Sequence, residues 1–229
     1  MIVFQVFISD QLKHFNRNTS TMKNIIVSVV FMFVVLAANA QQRKEKIGFG
    51  IQAGWSMSRI SGDTFDGKAG FVGGVHANFP VVGNFYVQPE ANFQQLGGKY
   101  KSDAFAIGDI RYRDAELNMN YLSVPVLIKY RLQPIDLDIF VGPQVAFKLS
   151  AKNKVGEGET YDAYNVKNTD IAGVYGLEYC LRLPESRVDP VLNARYLTGF
   201  TNFANGEDPN MPNESYRNNA LVFMLGIRF

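Results

Sequence analysis

The nine residues Leu221-Val222-Phe223-Met224-Leu225-Gly226-Ile227-Arg228-Phe229 constrain this chain more than any other segment. Successive side chains of a β-strand point to opposite sides, so a period of two sets Leu221, Phe223, Leu225, Ile227 and Phe229 on one face. A helix would scatter the same residues around its axis. The chain must therefore build a sheet with one wholly apolar face.

The alternation recurs upstream. It predicts eight strands, over 47–58, 68–79, 85–94, 121–130, 137–149, 170–181, 188–198 and 221–229. In the first, Ile47, Phe49, Ile51, Ala53, Trp55 and Met57 oppose Gly48, Gly50, Gln52, Gly54, Ser56 and Ser58. These strands run to about 10–12 residues, near the ~9–11 of a tilted membrane strand and above the ~5–6 typical of soluble sheets.

Export is expected from the N-terminal region. Met22-Lys23-Asn24, the apolar run from Ile25 to Leu36 and Ala38-Asn39-Ala40 have the form of a signal peptide with a small-x-small cleavage site. Residues 1–40 are thus a signal peptide with an upstream extension, Met22 being the expected start, and 41–229 form one barrel domain beginning at Gln41. The apolar run is shorter than the ~20 residues of a spanning helix. The whole chain has 23 basic and 21 acidic residues; Lys13, Arg17, Lys23 and Asp10 leave with residues 1–40, so the remainder carries 20 of each. A nucleic-acid partner would call for a clustered basic face, which this balance does not supply. Cys180 is the only cysteine, so no intramolecular disulfide can form. In lipid, helices and closed barrels alone satisfy every backbone polar group. The expected fold is all-β: an eight-stranded antiparallel up-and-down transmembrane β-barrel.

Connection lengths agree with that fold. The short connections are 80–84, 131–136 and 182–187; the long ones are 59–67, 97–116, 150–168 and 201–217. In outer-membrane barrels short turns face the periplasm and long loops face outward. Phe79, Phe85, Tyr130, Tyr179 and Phe229 take the apolar parity at the short-turn end, with Trp55, Phe147 and Tyr196 near the other end, as aromatic girdles would. Pro89, Pro125, Pro143 and Pro190 run against the pattern, since each removes a ladder donor, and bulges or rims are expected to absorb them. A soluble barrel with the apolar face turned inward would carry a charge-rich outer face. Here the polar face is largely Gly, Ser, Gln and Asn.

Candidate chemistry sits on that polar face. Glu90, Lys129, Lys148, Glu178 and Arg195, with Asp170, share the inward parity and are expected to form a paired charge network. An eight-stranded barrel is just wide enough for its side chains to fill, so the network should plug the lumen. No catalytic set, cofactor or metal site is expected. His76, the only histidine after His14, has lumen parity, whereas an outer-membrane acyl hydrolase would place a His–Ser pair on the lipid-facing surface. A lone histidine without cysteine partners makes a poor transition-metal site. Asn205-Gly206-Glu207-Asp208 and Glu214 offer oxygen ligands without EF-hand spacing and read as a solvated loop.

Several motifs occur in order along the chain: Leu96-Gly97-Gly98-Lys99 after Gln88-Pro89-Glu90, Tyr121-Leu122-Ser123-Val124-Pro125 running to Lys129-Tyr130, Val141-Gly142-Pro143, and Ala194-Arg195-Tyr196. Together they resemble the outer-membrane β-barrel domain family of Bacteroidota, often labelled PorT-like, over residues 47–229. The resemblance implies a Gram-negative outer-membrane protein embedded in outer-membrane lipid. The leading expectation for its function is a non-enzymatic barrel with long surface loops, accessory to an envelope or secretion assembly and with a protein partner there. A small-solute pore is the alternative, and a lipid-modifying enzyme a more distant one. The resemblance also implies that the barrel-assembly machinery reads the strand ending on Phe229 as its insertion signal, so that changes to Phe229 should impair assembly more than changes to Arg228.

Overall fold

The computed structural model describes residues 47–62, 64–101, 105–107, 110–112, 115–156, 159–163, 165–183, 186, 188–204 and 215–229. The expected signal peptide, its cleavage before Gln41 and the start at Met22 lie outside the described residues, as does the acidic segment 205–214.

Eight long strands form the wall in chain order: β1 Gly48–Ile60, β2 Lys68–Val82, β3 Phe85–Tyr100, β4 Ala115–Leu132, β5 Leu137–Val155, β6 Thr169–Cys180, β7 Asp189–Gly199 and β8 Asn218–Arg228. Each pairs antiparallel with its sequence neighbour, and β8 returns to β1 with Gly50 opposite Arg228 and Ile60 opposite Asn218. The sheet is therefore a closed up-and-down barrel, as the alternation predicts. Closure leaves none of the eight strands with a free edge along the wall.

The apolar parity faces outward. Phe49, Ile51, Trp55 and Met57 are exposed on β1, and Gln52, Ser56 and Ser58 between them are buried. The same inversion of an ordinary protein runs round the wall through Phe71, Leu122, Val141, Tyr175, Leu192 and Leu225. A continuous apolar belt of this size is unstable against water and requires lipid. At the short-turn rim Phe85 packs against Tyr130 with ring centroids 4.9 Å apart and the planes tilted by 56°, and Tyr179 and Phe229 are exposed. Phe79 is an exception: the register of β2 against β3 shifts between Pro80 and Val82, and Phe79 is buried.

Tight geometry closes the short turns. Gly83 takes φ +54°, and the 3₁₀ turn Gln133–Ile135 ends on Asp136 at φ 50°. The prolines are absorbed without loss of register. Pro89, Pro125 and Pro143 fall in one patch of β3, β4 and β5, where ladder pairs drop out while the pairing on either side stays in step. Pro190 is the second residue of β7.

Three strands run well past a membrane's thickness. β3, β4 and β5 have 16, 18 and 19 residues, so much of the expected loop over 97–116 and 150–168 is strand. The short strand Phe65–Asp66 joins β3, and Glu159–Asp162 joins β5, so a twisted sheet stands above the apolar belt on that side. Along this extension the faces change character. On β4, Leu117, Met119 and Tyr121 point in and are fully buried, with Glu116, Asn118 and Asn120 outward. Apolar-in with polar-out is how a strand meets water, and it marks where the wall leaves the bilayer.

Candidate functional site

Among the described residues the fold concentrates buried charge in the lumen, which is filled in two layers. The lower layer lies toward the short turns and is ionic. At its rim Arg131 and Asp138, partners across the β4–β5 ladder, form a bidentate pair: Nε donates to Oδ1 at 2.7 Å and Nη2 to Oδ2 at 2.9 Å. The guanidinium also lies 4.5 Å from the centroid of the Tyr86 ring, a cation–π contact.

Asp138 stands directly opposite Glu178 on β6. Like charges at such positions repel. Lys129 resolves the conflict: its ammonium is 3.2 Å from Asp138 Oδ2, bonds Glu178 and donates to Gln88 Oε1 at 3.0 Å. Glu178 also accepts from Arg228 Nη2 and, at 2.9 Å, from Asn193 Nδ2. One carboxylate is thus clamped from β4, β7 and β8 together.

Above it runs a strut across the barrel. Glu90 on β3 and Arg195 on β7 belong to opposite walls, four strands apart, and meet in a second bidentate pair at 2.7 and 3.1 Å. Gln52, Gln88 and Asn92 donate to the remaining lone pairs of Glu90 at 2.8–3.0 Å. Asn193 Oδ1 accepts from Arg195 Nε at 2.8 Å, and the Phe140 ring centroid lies 5.3 Å from the guanidinium. Paired geometry with every lone pair engaged is what lets charges persist away from water.

Of the residues expected in the network, Glu90, Lys129, Glu178 and Arg195 come together; Lys148 does not. Leu149 is an extra residue in β5, because Asn120 pairs with Ser150 and Tyr121 with Lys148. A bulge of this kind reverses the parity of the strand beyond it. Below it Gln144 and Ala146 point in; above it Ala151, Asn153 and Val155 do. Lys148 sits at the break, half-buried, and donates to the Val166 carbonyl. Asp170 is buried but apart, accepting from Thr201 and, at 2.8 Å, from Asn218. Arg131, Asp138 and Arg228 are the members that the expected network lacked. Their parity was the available signal: Arg131 continues Lys129 and Tyr121, and Arg228 alternates with Ile227 and Phe229.

His76 faces the lumen, as its parity predicts, and is 4% exposed. Its ring lies over Gly50, where a Cβ would approach within 2.4 Å. Neither ring nitrogen has a hydrogen-bond partner among the described residues, nor do Gln52 Oε1, Asn78 Oδ1 and Arg228 Nε beside it. All five atoms belong to the β8–β1–β2 sector, which is where the polar packing is least complete. Among the described residues no group of three His, Cys, Asp or Glu side chains is placed to hold a metal ion.

The upper layer is apolar and comes largely from the connections. Phe65 from the first long connection, Val166 from the third, and Phe203 and Tyr216 from the fourth are buried with Leu117 and Met119 of β4. The Phe65 ring centroid is 4.6 Å from that of Tyr100 and 5.8 Å from that of Tyr216, the latter edge-on. Tyr100 donates to Asn153 Oδ1 at 3.1 Å, and the Thr64 and Tyr216 hydroxyls are 3.1 Å apart. Outside the belt Lys68 bonds Glu116, and that hydrogen bond holds the Glu116 carboxyl below the usual carboxylate range.

Leu221, Phe223, Leu225, Ile227 and Phe229 share the outward parity of β8, and the Phe229 amide donates to the Phe49 carbonyl at 2.7 Å across the closing seam. Arg228 lies on the other side of that strand, inside the ionic layer.

Solved structures similar to this chain share little of its sequence. The attachment invasion locus protein Ail of Yersinia pestis, solved in complex with the heparin analogue sucrose octasulfate, aligns at TM-score 0.47 and 16% identity, over 81% of this chain and all of that one. Neisserial surface protein A aligns at TM-score 0.47 and 12% identity, over 80% of this chain and 98% of that one. No curated protein gives a significant match. Residues 39–205 match the family described as outer membrane protein beta-barrel domain. An outward apolar belt, a closed eight-stranded wall and that match make the chain a member of the outer-membrane β-barrel domain family.

Proposed function

We propose that this protein is a non-enzymatic, non-conducting outer-membrane barrel that serves as an accessory to an envelope or secretion assembly of the PorT-like kind. The observation that carries this reading is the doubly filled lumen: a diametral Glu90–Arg195 strut below and an apolar layer of Phe65, Phe203 and Tyr216 above. With the interior occupied by its own side chains, interaction falls to the sheet and loops that stand above the belt. Lys99, Lys152 and Lys154 are exposed on that extension, with Glu159–Asp162 beside them. In planar bilayers the purified protein should give no stable channel; sustained nanosiemens-scale openings would overturn the closed-lumen reading. A photo-cross-linker at Lys154 in intact outer membranes should give one discrete adduct with an envelope or secretion protein. Adducts with lipid alone would count against an accessory role.

A small-solute pore is favoured by a single observation, the unpartnered polar atoms around His76 in the β8–β1–β2 sector. Water reaching that sector still meets the apolar layer above it, so the pore stays the second reading.

The reading of β8 as an insertion signal belongs here too. Its outward face is continuous from Leu221 to Phe229, a surface the barrel-assembly machinery could grip before closure against β1. Phe229→Asp should lower the heat-modifiable folded fraction in outer membranes severalfold. Arg228 is not the neutral comparison that its position beside Phe229 suggests, because its loss strips a cation from Glu178; Arg217, exposed at the loop end, is the fitting control. Equal folded yields for Phe229→Asp and Arg217→Gln would remove the signal interpretation.

A further inference from the structure

The outward wall is not uniformly studded. Across β5 to β8 and β1 a groove of about 370 Å³ cuts the apolar belt. Its floor is Ala194, which pairs with Leu177 on one side and Phe223 on the other, and Phe223 in turn faces Trp55. A small side chain between large ones leaves a channel one residue wide. The lower bank is Leu192, Tyr179 and Leu137, which are ladder partners in succession. Five strands at about 4.8 Å spacing make the groove roughly 19 Å long. It has room for roughly a dozen groups the size of a water molecule, at about 30 Å³ each.

The lining is almost wholly apolar, so water gains nothing there, and the groove opens onto the lipid-facing belt along its whole length. Its lower end has a polar neighbour. Leu137 adjoins Asp136, whose Oδ1 lies 2.9 Å from Arg182 Nε in an ion pair. Arg182 is 54% exposed, and its two terminal nitrogens have no protein partner among the described residues. This pair sits on the short-turn rim, the side that faces the periplasm in such barrels.

We propose that the groove seats one acyl chain of a glycerophospholipid from the periplasmic leaflet, with the lipid phosphate held by Arg182. A long flexible chain fits a narrow apolar trough in a way that a helix, about 10 Å across, does not. The guanidinium at the rim matches a phosphate held by two parallel N–H groups. Asp136 keeps the side chain oriented without using those donors. The proposal rests on the outer-membrane location alone and is independent of whatever the loops bind.

The test uses the full chain extracted in mild detergent, exchanged repeatedly and analysed for bound lipid by native mass spectrometry with phosphate assay. The unmodified protein should retain one glycerophospholipid per chain. Ala194→Phe, which fills the floor with a side chain that would otherwise face lipid, should lower retention about tenfold, the equivalent of two methylenes losing their burial. Arg182→Gln should also weaken it. Heat-modifiable mobility verifies that both variants are folded barrels. A lipid-free wild-type protein, or full retention in Ala194→Phe, would refute the groove as a site. Retention unchanged in Arg182→Gln would refute the phosphate contact. A retained lipid carrying glucosamine phosphate would place the occupant in the opposite leaflet, and a change of oligomeric mass in Ala194→Phe would make it a second copy; either result overturns the proposal.

Discussion

Glu178→Gln should lower the unfolding free energy by about 3–5 kcal/mol, the range for removing one partner of a fully buried ion pair. The expectation is at the upper end of what single substitutions do because Glu178 is fully buried and serves three donors at once: Lys129, Asn193 and Arg228. An uncharged amide leaves Lys129 and Arg228 to share Asp138 with Arg131, which already holds it in a bidentate pair, and Arg228 comes only within 3.9 Å of it. Arg195→Gln strands Glu90 in the same way but leaves it three amide donors from Gln52, Gln88 and Asn92, so its loss should be smaller. Urea unfolding in lipid bilayers measures both. Equal stability of Glu178→Gln and wild type would mean that water already reaches the lower layer.

Phe65→Ala should cost about 3–5 kcal/mol, the usual range for truncating a buried aromatic when the site cannot collapse. Phe65 is 1% exposed and is gripped by Tyr100 and Tyr216, which are fixed in turn by hydrogen bonds to Asn153 and Thr64. The variant should stay closed to ions, because the Glu90–Arg195 strut below it is intact. Only Phe65→Ala combined with Arg195→Gln should admit current in planar bilayers. Conduction by Phe65→Ala alone would show that the apolar layer is the sole seal, and a silent double variant that the Lys129–Glu178–Arg228 cluster beneath the strut closes the lumen without either.

Much of the barrel was legible in the sequence, for a definite reason. In a membrane wall the outward face must be apolar at every level of the bilayer, so Phe49 to Met57 and Leu221 to Phe229 show strict alternation that needs no knowledge of neighbours. Strand identity, the outward belt, closure and the inward placement of Glu90, Lys129, Glu178, Arg195 and His76 all derive from that parity. Where the environment changes, the same rule misleads. Ala115 to Tyr121 alternates as clearly as any membrane strand, but with apolar side chains inward and Glu116, Asn118 and Asn120 outward; a search for an apolar outer face passes over it as loop.

The sequence by itself thus determined the class, the wall and which face of each strand is inside, because a period of two and a lipid solvent leave no other arrangement. The tertiary structure alone decided who meets whom. Lys148 keeps the inward parity of Gln144 and Ala146 but stays out of the network because it stands opposite Tyr121, eight residues up the β4–β5 ladder from the Lys129–Phe140 pair, and donates to the Val166 carbonyl instead. Arg228 and Glu178 are 50 residues apart and meet because β7 sets β8 two strands from β6 and the curvature of the wall turns both side chains into the lumen. Glu90 and Arg195, 105 residues apart, pair because eight strands make a circle narrow enough for two side chains to span. Parity is a local property of the backbone; partnership depends on register and circumference, which exist only once the barrel has closed.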